Sequence, residues 1–325
     1  MEFRVGRVIE IPAELAASQA RYNGEAGRAF VAALPGRAEE FLGRWGLRVT
    51  GPSLYGVASL VLPVTRDGVP AALKLQLLDE ESEGEPVALR TWDGAGAVRL
   101  LEHDPGTGTM LLERADETRH LSTLGDSREA VRILAGLLRR LVAVPAPPGL
   151  RRLGDVAADM VAATPAAAAR LGAEDAALLR DCAAAVREVM GEPGDRLLHW
   201  DLHYDNILAS EREPWLAIDP KPLAGDPGFD LLPALTDLWD EAGSGGAAGA
   251  GKGAGAGAGG GVPDPGEVLW RFDLLTEHLG LDRGRAVAWT LGRVLQNGLW
   301  DVEDGEPALD PDQVSIARNL LARRG

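Results

Sequence analysis

The sequence predicts an α+β chain of two lobes: an N-terminal antiparallel sheet lobe over residues 1–115 and a mainly helical C-terminal lobe over residues 116–325. Three observations predict it. Residues 59–78 and 96–116 hold short apolar runs separated by turn residues, the pattern of two hairpins. From Ser127 onward, apolar residues recur at helical spacing over long segments. A chain of 325 residues that is 46% hydrophobic is also long enough to bury a core in each of two lobes.

In chain order, the opening "MEFRVGRVIEIPAELAAS" carries Glu2, Arg4, Arg7 and Glu10 and lacks the continuous apolar core of a signal peptide. No run of 18 apolar residues suggests a membrane span, so a cytoplasmic protein is expected. Residues 25–46 have helical spacing, and Pro35-Gly36 is expected to break them into two short helices. "SLVLPV", the turn "RDG" and "AALKLQLL" read as one hairpin, and "GAVRLLEHD" with "GTMLLERAD" as a second. Between them "EGEPVALRTWDG" reads as a short helix, with Pro86 tolerated in its first turn. The helical lobe begins with "REAVRILAGLLRRLVAV", "VAADMVAATPAAAARLG" and "EDAALLRDCAAAVREVM", the first two separated by "PAPPG". Short strands "RLLH", "NILAS" and "WLAID" follow, then helices at about 229–240, 265–280, 284–300 and 312–323.

Residues 243–261 are nearly pure Gly and Ala and read as a flexible insertion, because they offer little to bury. Gly246, Gly251 and Lys252 fit the spacing G-x-x-x-x-G-K, but Gly253 stands where a Ser or Thr belongs, and no strand precedes the tract. Chance in a glycine tract explains the match. The lone Cys182 sits in a helical pattern as a small core residue, which excludes a disulfide framework within the chain. Asp and Glu outnumber Lys and Arg 49 to 33, a net charge of −16. That disfavours nucleic acid and anionic lipid as partners and suits a cationic small molecule, although an acidic total also serves solubility.

The stretch "RLLHWDLHYDNILAS", residues 196–210, carries the chemistry. As a metal site it would use His199, Asp201, His203 and Asp205, but these alternate by two along one face and close no coordination shell. The remaining histidines, His103, His120 and His278, have no ligand-like neighbours in sequence. A plain polar loop would need no particular order. A phosphoryl-transfer loop needs H-x-D-x-x-x-x-N followed by a strand ending in Asp, and His199, Asp201, Asn206 and Asp219 supply it. Asp201 would face the acceptor hydroxyl, while Asn206 and Asp219 would hold the nucleotide's magnesium ions. The order predicts a protein-kinase-like bilobal fold.

Such a fold needs a strand lysine for the nucleotide's phosphates and a helix glutamate to hold it. Lys74 lies inside the apolar strand "AALKLQLL", and Glu85 opens the short helix. Alone, Lys74 would also fit an edge-strand lysine that discourages aggregation. A phosphate-covering turn is offered by Gly51, Gly56 and Ser59, without the G-x-G-x-x-G pattern. The connector "MLLERAD" places Leu112, Glu113 and Arg114 where the backbone could meet an adenine edge.

On these residues the sequence resembles the aminoglycoside phosphotransferases, in particular the streptomycin 6-phosphotransferase and hydroxyurea phosphotransferase group. "LLHWDLHYDNIL" resembles their catalytic loop, and "WLAIDPKPLAGDPGFDLLPAL" their metal-binding strand and following helix. "ALRTWDGAGAVRLLEHD" with "MLLERAD" resembles the end of their N-terminal lobe, and "LQNGLWDVEDGE" a C-terminal segment; together the likeness spans roughly residues 50–306.

The resemblance implies an ATP- and Mg2+-dependent kinase of a small, cationic, hydroxylated molecule. Streptomycin is the leading acceptor, with hydroxyurea or an amino sugar as rivals. Asp201 is then the catalytic base, Asn206 and Asp219 the magnesium ligands, Lys74 the phosphate anchor and Glu85 its partner. Trp200 stands where the family often has a small residue, and either narrows the acceptor pocket or packs beneath the loop. Pro220-Lys221 follows Asp219 where protein kinases have Phe-Gly, so the regulated flip of that segment is not expected.

His199, Asp226 and Asp230 are expected to support the loop, and His203 to lie near the phosphates. A cationic acceptor would want carboxylates beside an aromatic face. Residues 295–306 offer Gln296, Asn297, Trp300, Asp301, Glu303 and Asp304, of which Asn297, Trp300, Asp301 and Asp304 are the candidate wall. The bland alternative is an acidic helix end facing water. A pseudokinase would lack at least one of Lys74, Asp201, Asn206 and Asp219, and all four are present. A metal hydrolase would bind a transition metal without nucleotide. The chain is expected to be a monomer or homodimer.

Overall fold

The computed structural model describes residues 9–56, 58–236 and 264–323. Their contacts divide the chain into two compact units. The first holds residues up to 94 together with 98–115; the second holds 95–97 and the chain from 116 on.

The first unit opens with α1 (Ala13–Tyr22), an element the sequence reading did not anticipate, and α2 (Gly24–Arg44). The expected break at Pro35-Gly36 is not there: α2 runs unbroken with Pro35 inside it. An internal proline removes one backbone hydrogen bond and costs about 3 kcal/mol. Phe30, Leu34, Ala38 and Phe41 offset this by burying one face of the helix in the core with Leu60, Leu62 and Val64, the large side chains contributing about 1.5–3 kcal/mol each.

Then come β1 (Leu47–Val49), β2 (Leu54–Tyr55), β3 (Ser59–Arg66), β4 (Val69–Gln76), α3 (Glu85–Trp92), β5 (Leu100–Asp104) and β6 (Thr109–Glu113). The sheet is antiparallel in the order β1-β3-β4-β6-β5, with β2 on β3. The β3–β4 turn places Asp67 and Gly68 at φ 51° and 83°, the left-handed pair that a two-residue hairpin requires. Because β4 lies between β3 and β6, Lys74 is on an interior strand, opposite Val61 on one side and Met110 on the other. The edge-lysine alternative fails on that register.

The second unit contains β7 (Asp116–His120), α4 (Ser127–Leu141), α5 (Leu153–Ala168), α6 (Ala173–Val189), β8 (Arg196–Leu198), β9 (Ile207–Ala209), β10 (Trp215–Ala217) and β11 (Leu223–Gly225). It continues with α7 (Pro233–Thr236), α8 (Pro265–Leu279), α9 (Arg283–Glu303) and α10 (Pro311–Leu321). Asp126, Asp264, Asp282 and Asp310 cap α4, α8, α9 and α10 by accepting first-turn N–H groups, which is why each helix starts where it does.

Helix α9 is buried almost all round from Ala286 to Leu299 and packs on α6 and on the Pro227–Asp230 turn, so it is a core helix rather than a surface one. Two small sheets, β10-β9-β7 and β11-β8, carry the loop between β8 and β9. The expected helix at 229–240 is, over its described part, a 3-10 turn at Pro227–Asp230 followed by α7. The Gly/Ala tract at 243–261 lies outside the described residues. No helix among the described residues is long and apolar enough to cross a membrane.

Candidate active site

In the first unit, Lys74 reaches across to the first residue of α3. Its Nζ donates to both carboxylate oxygens of Glu85, at 2.8 and 2.7 Å. The two side chains are 5% and 2% exposed, so the pair is desolvated and held by bidentate geometry. Ser59 opens β3 opposite Gln76 and is buried. The Gly56 N–H donates to the Ser59 carbonyl at 3.0 Å, and a Cβ on Gly56 would come within 3.2 Å of Ser59 Oγ, so this turn closes tightly over the hydroxyl. Gln76 lies two residues from Lys74 on the same strand face, and its Nε2 is buried without a hydrogen-bond partner among the described residues.

The other two nucleotide-side candidates are occupied with holding the sheet. The Glu113 N–H donates to the Arg99 carbonyl at 2.8 Å, and the Arg99 N–H donates to Glu113 Oε2 at 3.0 Å. Arg114 donates to Thr50 Oγ1 at 3.1 Å. The Glu113 amide, one of the backbone groups suggested for an adenine edge, is therefore already used.

In the second unit, the loop from His199 to Asn206 is tied down residue by residue. The N–H groups of His199 and Trp200 each donate to an oxygen of Asp230 at 2.8 Å. The His199 ring donates from Nε2 to the Ile218 carbonyl at 3.0 Å and accepts the Asp201 N–H at Nδ1 at 3.4 Å, which sets its tautomer. Both ring nitrogens are thereby engaged, so His199 is no metal ligand and the four-residue metal site does not assemble. Asp205 instead accepts a hydrogen bond from the Ser122 hydroxyl, and its carbonyl meets the His120 ring at 2.9 Å.

Asn206 Nδ2 donates to the Asp201 carbonyl at 2.9 Å. That leaves the amide oxygen of Asn206 as its atom for an outside ligand. The strand leading to Asp219 is held by the Ile218 N–H on the Asn206 carbonyl at 2.9 Å, and the turn after it by the Lys221 N–H on the His199 carbonyl at 3.0 Å.

Two residues here adopt left-handed backbone: Trp200 at φ 62° and Asp219 at φ 58°. Aspartate visits this region readily, whereas for a bulky residue it is an outlier. The pair of hydrogen bonds to Asp230 and the burial of the indole hold Trp200 there. Its ring lies 5.1 Å from the guanidinium carbons of both Arg151 and Arg293, and its Nε1 donates to Gln296 Oε1 at 3.1 Å. At 1% exposure Trp200 packs beneath the loop, and the positive φ explains why a small residue suits this position.

Asp201 itself is 6% exposed. Lys221 Nζ stands 3.4 Å from its Oδ2, while Oδ1 is buried with no hydrogen-bond partner among the described residues. Burial alone would raise this carboxyl, but the charges of Lys221, His203 and Arg293 more than offset it and hold it at about 2. Burial pushes His199 down to about 4, so its ring is neutral at pH 7. Asp230 is pushed up to about 7 by burial, with the nearby Asp201 charge adding to it against the pull of the two N–H donors and Arg293.

Asp226 does not touch the loop. It caps the 227–230 turn through the Gly228 N–H at 2.8 Å and pairs with Arg285 at 2.5 Å.

The candidate acceptor wall on α9 is divided by the helix. Asn297 is 5% exposed and donates to Gln313 of α10 at 3.0 Å, so it faces the interior. Trp300 turns the other way, 6.2 Å from the Trp200 ring and 5.5 Å from the Arg293 guanidinium. Asp301 is half-buried and Asp304 is exposed at the helix end. Arg151, Arg293 and the role of Gln296 under Trp200 were not found by sequence reasoning. Their partner lies about 50 residues away on one side and more than 90 on the other, and no local spacing marks such a contact.

With this geometry in hand, likeness to known proteins is informative. The family model for aminoglycoside/hydroxyurea antibiotic resistance kinases matches residues 44–250. The chain is 62% identical to a hydroxyurea phosphotransferase of Kitasatospora aureofaciens, over 99% of this chain and 89% of that one. It is 56% identical to a streptomycin 6-kinase of Streptomyces glaucescens, over 97% of this chain and 98% of that one. Among solved structures, a thermostable aminoglycoside phosphotransferase in complex with ADP and hygromycin B superposes with a TM-score of 0.60 at 13% identity, covering 88% and 98% of the two chains. At that identity the superposition speaks for the fold, which is kinase-like. The chain belongs to the aminoglycoside/hydroxyurea antibiotic resistance kinase family and is a small-molecule kinase.

Proposed function

We propose that this protein transfers the γ-phosphoryl group of ATP to a hydroxyl of an aminoglycoside, with streptomycin as the first acceptor to test, and so inactivates the antibiotic. The observation that carries the reading is Asp201: a buried carboxylate, ionised at neutral pH, with Oδ1 unpartnered among the described residues. An acceptor hydroxyl fits that oxygen, and Asp201 would orient it and take its proton. His199 remains neutral and acts as scaffold. Lys74, braced by Glu85, is the anchor for the nucleotide's α- and β-phosphates, with Ser59 and the Gly51–Gly56 turn covering them.

Asn206, through its free amide oxygen, and the carboxylate of Asp219 form an oxygen-only donor set of the kind magnesium prefers when a nucleotide supplies its remaining ligands. Bound there, magnesium would neutralise charge on the phosphate oxygens. Glu113 and Arg114 serve this reading by shaping the end of β6. Trp300, beside Trp200, and Asp301 are the parts of the α9 wall best placed for a cationic acceptor, while Asn297 faces the interior and is no part of it. The reaction belongs in the cytoplasm, where ATP is supplied.

Hydroxyurea is a second reading, favoured by the 62% identity to a hydroxyurea phosphotransferase. The same machinery would serve it, since Asp201 needs only an O–H. ATP consumption measured across streptomycin, other aminoglycosides, amino sugars and hydroxyurea, with Asp201→Ala as control, decides between acceptors. No stimulated turnover from any acceptor, together with an alanine variant indistinguishable from wild type, would sink the kinase reading.

A further inference from the structure

Lys221 serves the chemistry above only by helping to keep Asp201 ionised, yet both its backbone and its side chain engage the loop that carries Asp201. Its N–H holds the His199 carbonyl at 3.0 Å, which sets its register against the loop. Its Nζ stands 3.4 Å from Asp201 Oδ2, with 29% of the side chain exposed against 8% for Asp201. An exposed ion pair is worth about 0–1 kcal/mol and carries no argument. This one differs, because its carboxylate is buried and keeps an unpartnered oxygen, while its cation is on the more open side.

We propose that Lys221 is a further catalytic residue, whose ammonium group meets the equatorial oxygens of the phosphoryl group as it passes from nucleotide to acceptor. The inference rests on the kinase reading of the site. Asp201 must lie within about 3 Å of the attacking hydroxyl oxygen, and that oxygen about 3–3.5 Å from phosphorus before transfer. A cation 3.4 Å from Asp201 Oδ2, on a flexible four-carbon stem, reaches a phosphoryl oxygen by rotation about its own bonds, without backbone movement.

In the resting enzyme the ammonium neutralises Asp201. With the acceptor hydroxyl on Oδ1, the ammonium beside Oδ2 lies next to the reacting oxygen and turns toward the phosphoryl group. The acceptor oxygen then bonds to the γ-phosphorus, and the bond from phosphorus to the β–γ bridging oxygen breaks. That oxygen leaves with the electron pair on ADP, and the hydroxyl proton passes to Asp201. Lys221 stays protonated throughout. It stabilises the charge spread over three equatorial oxygens, where a preorganised donor is typically worth about 10²–10³ in kcat.

The test compares Lys221→Met and Lys221→Arg with wild type in the full chain. Steady-state kinetics use ATP and the acceptor that wild type turns over; calorimetry measures ADP binding with and without aluminium fluoride, in the presence of magnesium and acceptor. K221M is expected to lose about 10²-fold in kcat with the nucleotide KM within about threefold of wild type, and K221R to regain at least about tenfold. K221M should also lose the tightening that aluminium fluoride adds, while binding ADP alone as wild type does. The proposal is overturned if K221M keeps kcat within about threefold of wild type, if its loss lies wholly in KM, or if both forms of ADP are weakened alike. Wild type that neither turns over an acceptor nor tightens on aluminium fluoride marks failure of the kinase reading itself, and this inference falls with it.

Discussion

Two lysine–carboxylate pairs among the described residues are built from the same chemistry and finished differently. Lys74 and Glu85 satisfy each other completely: both carboxylate oxygens accept from one ammonium, and neither side chain exceeds 5% exposure. Lys221 meets Asp201 at Oδ2, at 3.4 Å, with the lysine 29% exposed, and Asp201 Oδ1 has no hydrogen-bond partner among the described residues. A saturated buried pair is complete without substrate: Glu85 braces β4 against α3 and holds the Lys74 ammonium in place for the nucleotide's phosphates. An unsaturated one carries a desolvation cost that a substrate hydroxyl relieves. The lesson is that burial and charge alone do not mark the reactive pair; the unfilled valence does.

Breaking the open pair should have the largest effect on catalysis and little on folding. Asp201→Asn is expected to lower kcat by about 10³–10⁴, the upper range for loss of a positioned base, with a thermal melt close to wild type. Breaking the saturated pair should weaken the fold as well as nucleotide binding. Glu85→Ala strands the Lys74 ammonium in the interior and is expected to cost about 3–5 kcal/mol, read by urea denaturation. If Glu85→Ala proves as stable as wild type, the strut interpretation is wrong.

The scaffold beneath Asp201 gives a pH test. Burial holds the His199 ring at about 4, well below the ordinary histidine range, so protonation favours the unfolded chain. The stability it contributes is complete above pH 6.5 and is lost as pH falls towards 4, by up to about 3 kcal/mol. Asp230, raised to about 7, runs the other way: its contribution is present at low pH and is lost as pH rises through 7. Comparing wild type with His199→Gln cancels Asp230, which both carry. The stability gap between them should be widest at neutral pH and narrow towards pH 4; a constant gap would refute the buried neutral ring.

The smallest effect concerns Trp200. Trp200→Ala and Trp200→Gly both lose the packing between Arg151 and Arg293, but only glycine relieves the left-handed backbone at φ 62°. The glycine variant should be the more stable of the two by about 1 kcal/mol.

Much of this was legible in the sequence, for local reasons. The Asp67-Gly68 hairpin, the helices capped by aspartates and the placement of Lys74 on a strand and Glu85 at a helix start all follow from patterns a few residues long. Pro35 misled because its local cost is real, and only the core against which Phe30, Leu34, Ala38 and Phe41 pack outweighs it. The α9 segment misled in another way. Not all of its polar residues could face a pocket, and the sequence did not say which: two adjacent positions on a helix point about 100° apart, so Gln296 meets Trp200 while Asn297 meets Gln313.

By itself, then, the sequence determined the elements and the order of the reactive residues, because hydrophobic period, turn residues and motif spacing act over a few positions of chain. Only the tertiary structure decided which charges are saturated and which are left open. Asp230 holding the Trp200 backbone, Arg293 and Arg151 flanking its ring, and Lys221 set beside Asp201 are products of burial. Burial brings together groups that no spacing along the chain relates, and removes the water that would otherwise make their differences small.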